Sequence, residues 1–382
     1  MPALARFLVV FAASIAAAAT IGKLVPHIPR LAAEFDISLG AAGFLVSAVM
    51  LPGALAGPLF GALVDRVSPR RVAFLGLALE ALASAALPFA SSLWLFLGLR
   101  LLEGVGYTLV IVAGTLMVVA VSTPRHRAVG LSTWSSFAPL GFALGQLFAA
   151  GASYQAIAFG HAVALVIMAA LIAACIPASA APGSARANVV QALRHAPALR
   201  TAMAFGCVAG LLLGAVALAP LLISRSAGIT VAEAARLTAL AALPGIVGRF
   251  ASGWLLGKSA PRRVFGGAAA LGLAFIPLAL IAPVPLALAL LSFAAFQICM
   301  GALAGILQAM LPQVAPSPAQ LGTVTGLANQ MITIGNLLGP PIALGVFAAA
   351  GATAATALLI LALALSVGLV SGIAVYRRAL AP

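Results

Sequence analysis

Seven ionisable side chains stand inside long apolar runs of this sequence: Lys23, His27, Glu80, Arg100, Glu103, His161 and Arg249. Such groups are costly at membrane depth, so each is a functional suspect by default. Lys23 and His27 are four apart in "TIGKLVPHIPR", which puts them on one helical face. Arg100 and Glu103 are three apart in "RLLEGVGY", and Tyr107 follows on the same face. Opposite charges so spaced offset each other's desolvation. A carboxyl beside an arginine can also bind and release a proton as water reaches it. Arg249, in "GIVGRFASGWLLGK", offers a guanidinium that fits a carboxylate through two parallel hydrogen bonds. The chemistry these types suit is holding a small anion, with Lys23, His27, Arg100, Tyr107 and Arg249, and moving a proton, with Glu103 and Arg100.

Each residue also has a plainer reading. Lys23 could snorkel to a surface, Arg100 and Glu103 could form a structural ion pair, and Arg249 could anchor at an interface. Glu80 and His161 are expected at the margin of the bundle, paired with a neighbour or beside lipid. Neutral polar stripes add two candidates. Asn329, Thr333 and Asn336 recur at helical spacing, as do Gln297, Gly301, Ala304 and Gln308. Such faces should avoid lipid, so Asn329 and Gln297 join the substrate-facing set.

Other chemistry is missing. There is no phosphate-cradling Gly loop ending in Lys-Ser/Thr. Cys175, Cys207 and Cys299 have neither disulfide-framework nor metal spacing. No nucleophile–base set occurs, so the expectation is a protein without cofactor or metal that is not an enzyme.

The elements that position these residues follow from composition. The chain has 382 residues, 64% hydrophobic and 7% charged, against about a quarter charged in soluble domains. Twelve apolar runs, centred near 16, 51, 81, 107, 138, 167, 211, 244, 273, 299, 335 and 363, are long enough to span a bilayer as helices. The first is read as a span rather than a cleaved signal peptide, because its apolar run continues past the small residues. With the N-terminus inside, fourteen basic residues fall on the cytoplasmic side, Arg186, Arg377 and Arg378 among them, and three on the outer side. This positive-inside bias places both termini in the cytoplasm. It also accounts for the net charge of +14 through lipid headgroups, without nucleic acid. The excess of 18 Arg over 2 Lys points to a GC-rich bacterial genome, hence to the inner membrane.

The sequence repeats itself. Residues 37–72 align with 229–264 at an offset of 192, with twelve of 36 positions identical, including Pro52-Gly53 with Pro244-Gly245 and Pro69-Arg70-Arg71 with Pro261-Arg262-Arg263. Two parallel six-helix repeats follow, 1–176 and 200–382, joined by a polar cytoplasmic linker at 177–199 that can hold a short helix. "FAPLGFALG" (Phe137 to Gly145) and "GNLLGPP" (Gly335 to Pro341) are Gly/Pro-rich and are expected to break their helices.

The stretch "GALVDRVSPRRV" (Gly61 to Val72) resembles the loop between spans two and three of the major facilitator superfamily. The resemblance implies an all-α membrane fold of twelve helices, with the substrate site near mid-membrane. It also implies that Gly61, Asp65, Arg66, Arg70 and Arg71 form a conformational latch. Asp65 can favour a helix N-terminus or an arginine. "RLLEGVGY" resembles the family's Arg-x-x-Gln-Gly-x-Gly segment, with Glu103 in the Gln position. "GRFASGW" is similar to the eighth span of monocarboxylate and oxalate/formate carriers, which implies that Arg249 holds a carboxylate. Gly22, Lys23, Pro26 and Pro29 resemble the cyanate/nitroimidazole permease group. The resulting expectation is a monomeric, proton-coupled secondary transporter of a small organic anion. Multidrug efflux by proton antiport and a non-transporting membrane sensor are the alternatives.

Overall fold

The computed structural model describes residues 2–177 and 189–373, and these are all-helical. In chain order the helices are α1 (Ala3–Gly22), α2 (Ile28–Glu34), α3 (Leu39–Ser47), α4 (Leu51–Arg66), α5 (Pro69–Ala86), α6 (Leu93–Val121), α7 (Arg127–Trp134) and α8 (Phe137–Ala150). They continue with α9 (Tyr154–Cys175), α10 (Val189–Arg194), α11 (Ala196–Ala227), α12 (Val231–Ala242), α13 (Gly245–Leu256), α14 (Pro261–Leu280), α15 (Leu286–Val314) and α16 (Leu321–Ser371). The expected short linker helix is α10; residues 178–188, Arg186 included, and Arg377 and Arg378 lie outside the described residues.

Ten stretches among the described residues are long and apolar enough to cross a membrane. The expected twelve differ from these ten in two places. The fifth expected span is two shorter helices, α7 and α8, that meet at Ser135 and Ser136. Its break is therefore not within "FAPLGFALG", where α8 runs on through Pro139. The eleventh and twelfth expected spans form one helical run, α16, of 51 residues. Its interruption is not at Pro340 and Pro341, which lie inside helix, but at Gly351, whose φ of 83° and ψ of −176° suit only glycine. The chain reverses there. A Cβ at Gly214 would lie 3.2 Å from both Ala343 and Leu359, residues whose midpoint is Gly351. On a straight helix they would stand about 24 Å apart.

Prolines shape the other interruptions, because each lacks a backbone donor. α1 stops at Gly22, a single 3₁₀ turn covers Val25–His27 around Pro26, and α2 begins with Pro29 near its start. α4 is kinked at Ala56, two residues before Pro58.

The described residues fall into two compact units. The first comprises Met1–Pro124, Ser136–Ala192 and Ala315–Gln330; the second comprises Arg125–Ser135, Leu193–Val314 and Met331–Pro382. The repeat is visible in helix bounds: α5 begins at Pro69 and α14 at Pro261, and α6 and α15 are each 29 residues. The exchanged segments obey it too. Shifting 125–135 by 192 gives 317–327, inside Ala315–Gln330.

In the first unit α6 packs against α5, α4 and α1, and α1 packs also against α8 and α9. The α5–α6 approach is close enough that a side chain at Gly76 would meet the Gly106 carbonyl 2.8 Å away. Leu24, Leu31, Leu45, Phe96 and Tyr154 close one end of this unit with a buried apolar cluster.

Candidate functional site

The break after α1 places Lys23 as the helix's last capping residue, with its amide bonded to the Ala19 carbonyl at 3.0 Å. Its side chain does not snorkel. It is 1% exposed and turns into the first unit. There its ammonium has three donors and three partners: Glu103 Oε1 at 2.5 Å, Ser84 Oγ at 2.6 Å and His161 Nδ1 at 2.9 Å. The second Glu103 oxygen accepts from Arg100 Nη1. One carboxylate thus lies between two cations, and all three side chains are buried.

Each member is positioned by backbone. Arg100 Nε donates to the Leu45 carbonyl at 2.9 Å and Nη2 to the Val46 carbonyl at 3.0 Å. These carbonyls belong to the last turn of α3, where a cation complements the helix dipole. Nη1 also reaches Thr20 at 3.3 Å. Ser84 donates to the Ala158 carbonyl at 3.0 Å, and His161 Nε2 lies 2.9 Å from the Ala16 carbonyl. A carbonyl only accepts, so Nε2 carries the hydrogen and Nδ1 receives the lysine proton; this makes His161 neutral. Its expected place at the margin is therefore corrected, though not its pairing with a neighbour: His161 is buried inside the network, bonded to Lys23 and beside Ser84. Glu80 is likewise inside, fully buried one turn before Ser84 on α5.

Sequence reasoning did not select Ser84 or Thr20. The signal for Ser84 was present, since Glu80 and Ser84 are four apart in an otherwise apolar helix. Tyr107 is buried one turn beyond Glu103 on α6. His27 is outside the network. Its ring packs edge-on against Tyr154, with centroids 5.7 Å apart. Asn329 in the first unit and Gln297 in the second are both buried.

A separate contact in the first unit involves the Gly61–Arg71 stretch. Asp65 accepts from the amides of Gly322 at 2.6 Å and Thr323 at 2.7 Å, and from the Thr323 hydroxyl at 2.6 Å. These amides are in the first turn of α16, where helix donors lack intrahelical partners and the dipole favours an anion. Glycine makes the approach possible: any side chain at Gly61 would collide with the Gly322 carbonyl. Arg70 donates to the Ala173 carbonyl of α9, while Arg66 and Arg71 are exposed.

In the second unit, Arg249 of α13 donates through Nη1 to the Ser135 carbonyl at 3.1 Å and to Ser135 Oγ at 3.4 Å. Ser135 is the C-terminal cap of α7. Among the described residues, no group of three His, Cys, Asp or Glu could hold a metal ion.

Comparison with known proteins bears on the whole chain. The family model described as Major Facilitator Superfamily matches residues 4–340. Among solved structures, the human organic anion transporter MFSD10 (TETRAN) is 19% identical, with 97% of this chain and 100% of that one covered and a TM-score of 0.78. The E. coli fucose:proton symporter FucP is 17% identical, with 97% and 99% covered and a TM-score of 0.80. A search of curated protein sequences finds no match.

Proposed function

Because this multi-pass membrane protein belongs to the major facilitator superfamily, we propose that it is a proton-coupled secondary transporter. Its substrate is a small organic anion, moved across a bacterial inner membrane by alternating access. Its repeats are 1–176 and 200–382, with both termini cytoplasmic. Counting α7 and α8 as one crossing and α16 as two gives twelve spans. The observation that carries the substrate class is the buried Lys23–Glu103–Arg100 cluster. Two cations share one carboxylate there, so the set retains a positive charge that an anion can neutralise. Lys23 and Arg100 hold the anion, and Glu103 is the group it displaces from Lys23. The fold neighbours described as an organic anion transporter and a fucose:proton symporter are compatible with this reading.

Asp65 fits a conformational latch, since it ties α4 to the start of α16. Arg249, engaged with Ser135 at the α7–α8 break, fits the same kind of role better than direct contact with substrate.

The test is current from proteoliposomes on a solid-supported membrane. They are challenged with formate, acetate, lactate and cyanate, and with cationic drugs, with and without a pH gradient. A saturable, proton-dependent response to an anion that disappears in Lys23→Gln is expected. Silence to every anion together with a response to the drugs overturns the reading in favour of multidrug efflux.

A further inference from the structure

Glu80 is the ionisable group that the network leaves aside. It is fully buried, and neither carboxyl oxygen has a hydrogen-bond partner among the described residues. This is not for want of donors nearby. Ser84, one turn on along α5, holds Lys23 at 2.6 Å. On the facing helix, a Cβ at Gly106 would lie 2.8 Å from the Glu80 Cβ, so the side chain leaves its backbone alongside the turn that carries Glu103. The charged and titratable groups that act on it are Glu103, Arg100 and Tyr107 on α6 and Lys23 at the end of α1; His161 on α9 meets the same Lys23 and Ser84. Asp65 of α4 is already engaged at Gly322 and Thr323. Every donor of the Lys23 ammonium is in use, and so are both oxygens of Glu103.

A buried carboxylate with no donor is a far costlier species than the neutral acid, which forgoes a hydrogen bond but carries no charge. We propose that Glu80 is a proton-binding site, and that its proton sets whether the Lys23–Arg100–Glu103 cluster holds a spare positive charge. With the proton on Glu80, the arrangement is the one seen: Lys23 and Arg100 share Glu103, and the set carries one net positive charge. When the proton leaves to water, the Glu80 carboxylate takes a donor from Lys23. Glu103 then serves Arg100 alone, and the set is neutral without an anion. One proton on Glu80 and one monovalent anion on the cations therefore go together. This deepens the anion-transporter reading and rests on it for the anion, but the proton site can be tested without one.

The experiment is infrared difference spectroscopy of the full-length protein in lipid vesicles, with no substrate added, at neutral pH. The expected result is a protonated-carboxyl C=O band that is present in the wild type and lost in Glu80→Gln. The neutral amide mimics the protonated acid, so this variant should also keep the wild-type melting temperature. An unchanged band in Glu80→Gln overturns the site. In Glu103→Gln the band should also fade, because Lys23, released from Glu103, draws Glu80 into the ionised form. A band that persists there overturns the exchange between the two carboxyls. The spectra do not depend on transport, so a failure here is distinct from a silent result in the anion currents.

Discussion

The two halves of the chain build matching helices with opposite contents. In the first, α6 carries Arg100 and Glu103 and packs against α5, which buries Glu80. In the second, α15 has the same length and packs against α14. Yet α15 contains no Asp, Glu, Lys, Arg or His, and α14 has none after Arg263. The α5–α6 and α14–α15 pairs therefore show that this packing does not require buried charge. Replacing buried ion pairs by apolar residues is often neutral or stabilising. The charges of the first half are thus an addition to a fold that stands without them, and an addition of this kind points to function.

Breaking the comparison at its strongest point means leaving the cations without their carboxylate. Glu103→Gln strands Arg100, which is buried, and leaves Lys23 only the carboxyl of Glu80 to turn to; removing the shared partner of such a set costs about 3–5 kcal/mol. A large drop in thermal stability in detergent is expected, together with loss of anion-evoked current. The triple variant K23M/R100M/E103M makes the first half resemble the second. It should melt closer to the wild type than Glu103→Gln does, while remaining inactive. If the triple variant is the less stable of the two, the charges are structural and the contrast between the halves teaches nothing about function.

Much of the architecture was legible because it depends on local composition: the apolar runs, the 192-residue repeat and the short linker helix are properties of neighbouring residues. The close charged pair Arg100–Glu103 was legible for the same reason, its members being three apart on one helix. Lys23 meeting Glu103 was not, because 80 residues separate them and only the packing of α1 on α6 brings them together. The helix breaks were misplaced for a physical reason. Prolines 139, 340 and 341 were expected to break their helices, yet each is accommodated inside one. The chain instead breaks at Ser135–Ser136, where Ser135 receives Arg249, and at Gly351, where a positive φ is required.

A second contrast between the halves lies in how the exchanged segments are held. In the first unit a carboxylate, Asp65, accepts from amides in the first turn of α16; in the second a guanidinium, Arg249, donates to the carbonyl that caps α7. Each sign suits the helix end it meets. Glycine sits at the equivalent contact point in both, Gly61 against Gly322 and Gly253 against Ser132. Asp65→Asn removes the charge but keeps the shape, and the expected cost is about 1–2 kcal/mol. Hydrogen exchange should quicken at the amides of Gly322 and Thr323 while anion affinity holds. Lost affinity with unchanged exchange would contradict the latch.

The smallest effect is expected at Arg249, and it decides between two roles for that residue. Its side chain is only partly buried, and one carbonyl and one hydroxyl of Ser135 receive it. Both partners are neutral, so water can replace much of what Arg249→Gln removes, and about 0.5–1 kcal/mol of local stability is at stake. Hydrogen exchange across residues 127–136 should rise by up to about fivefold, following the conversion of 1.4 kcal/mol per factor of ten. The anion concentration that gives half-maximal current should not move. A guanidinium that held the substrate carboxylate would show the reverse: unchanged exchange at the α7–α8 break and a marked loss of affinity, only partly restored by Arg249→Lys, because an ammonium keeps the charge without the bidentate geometry.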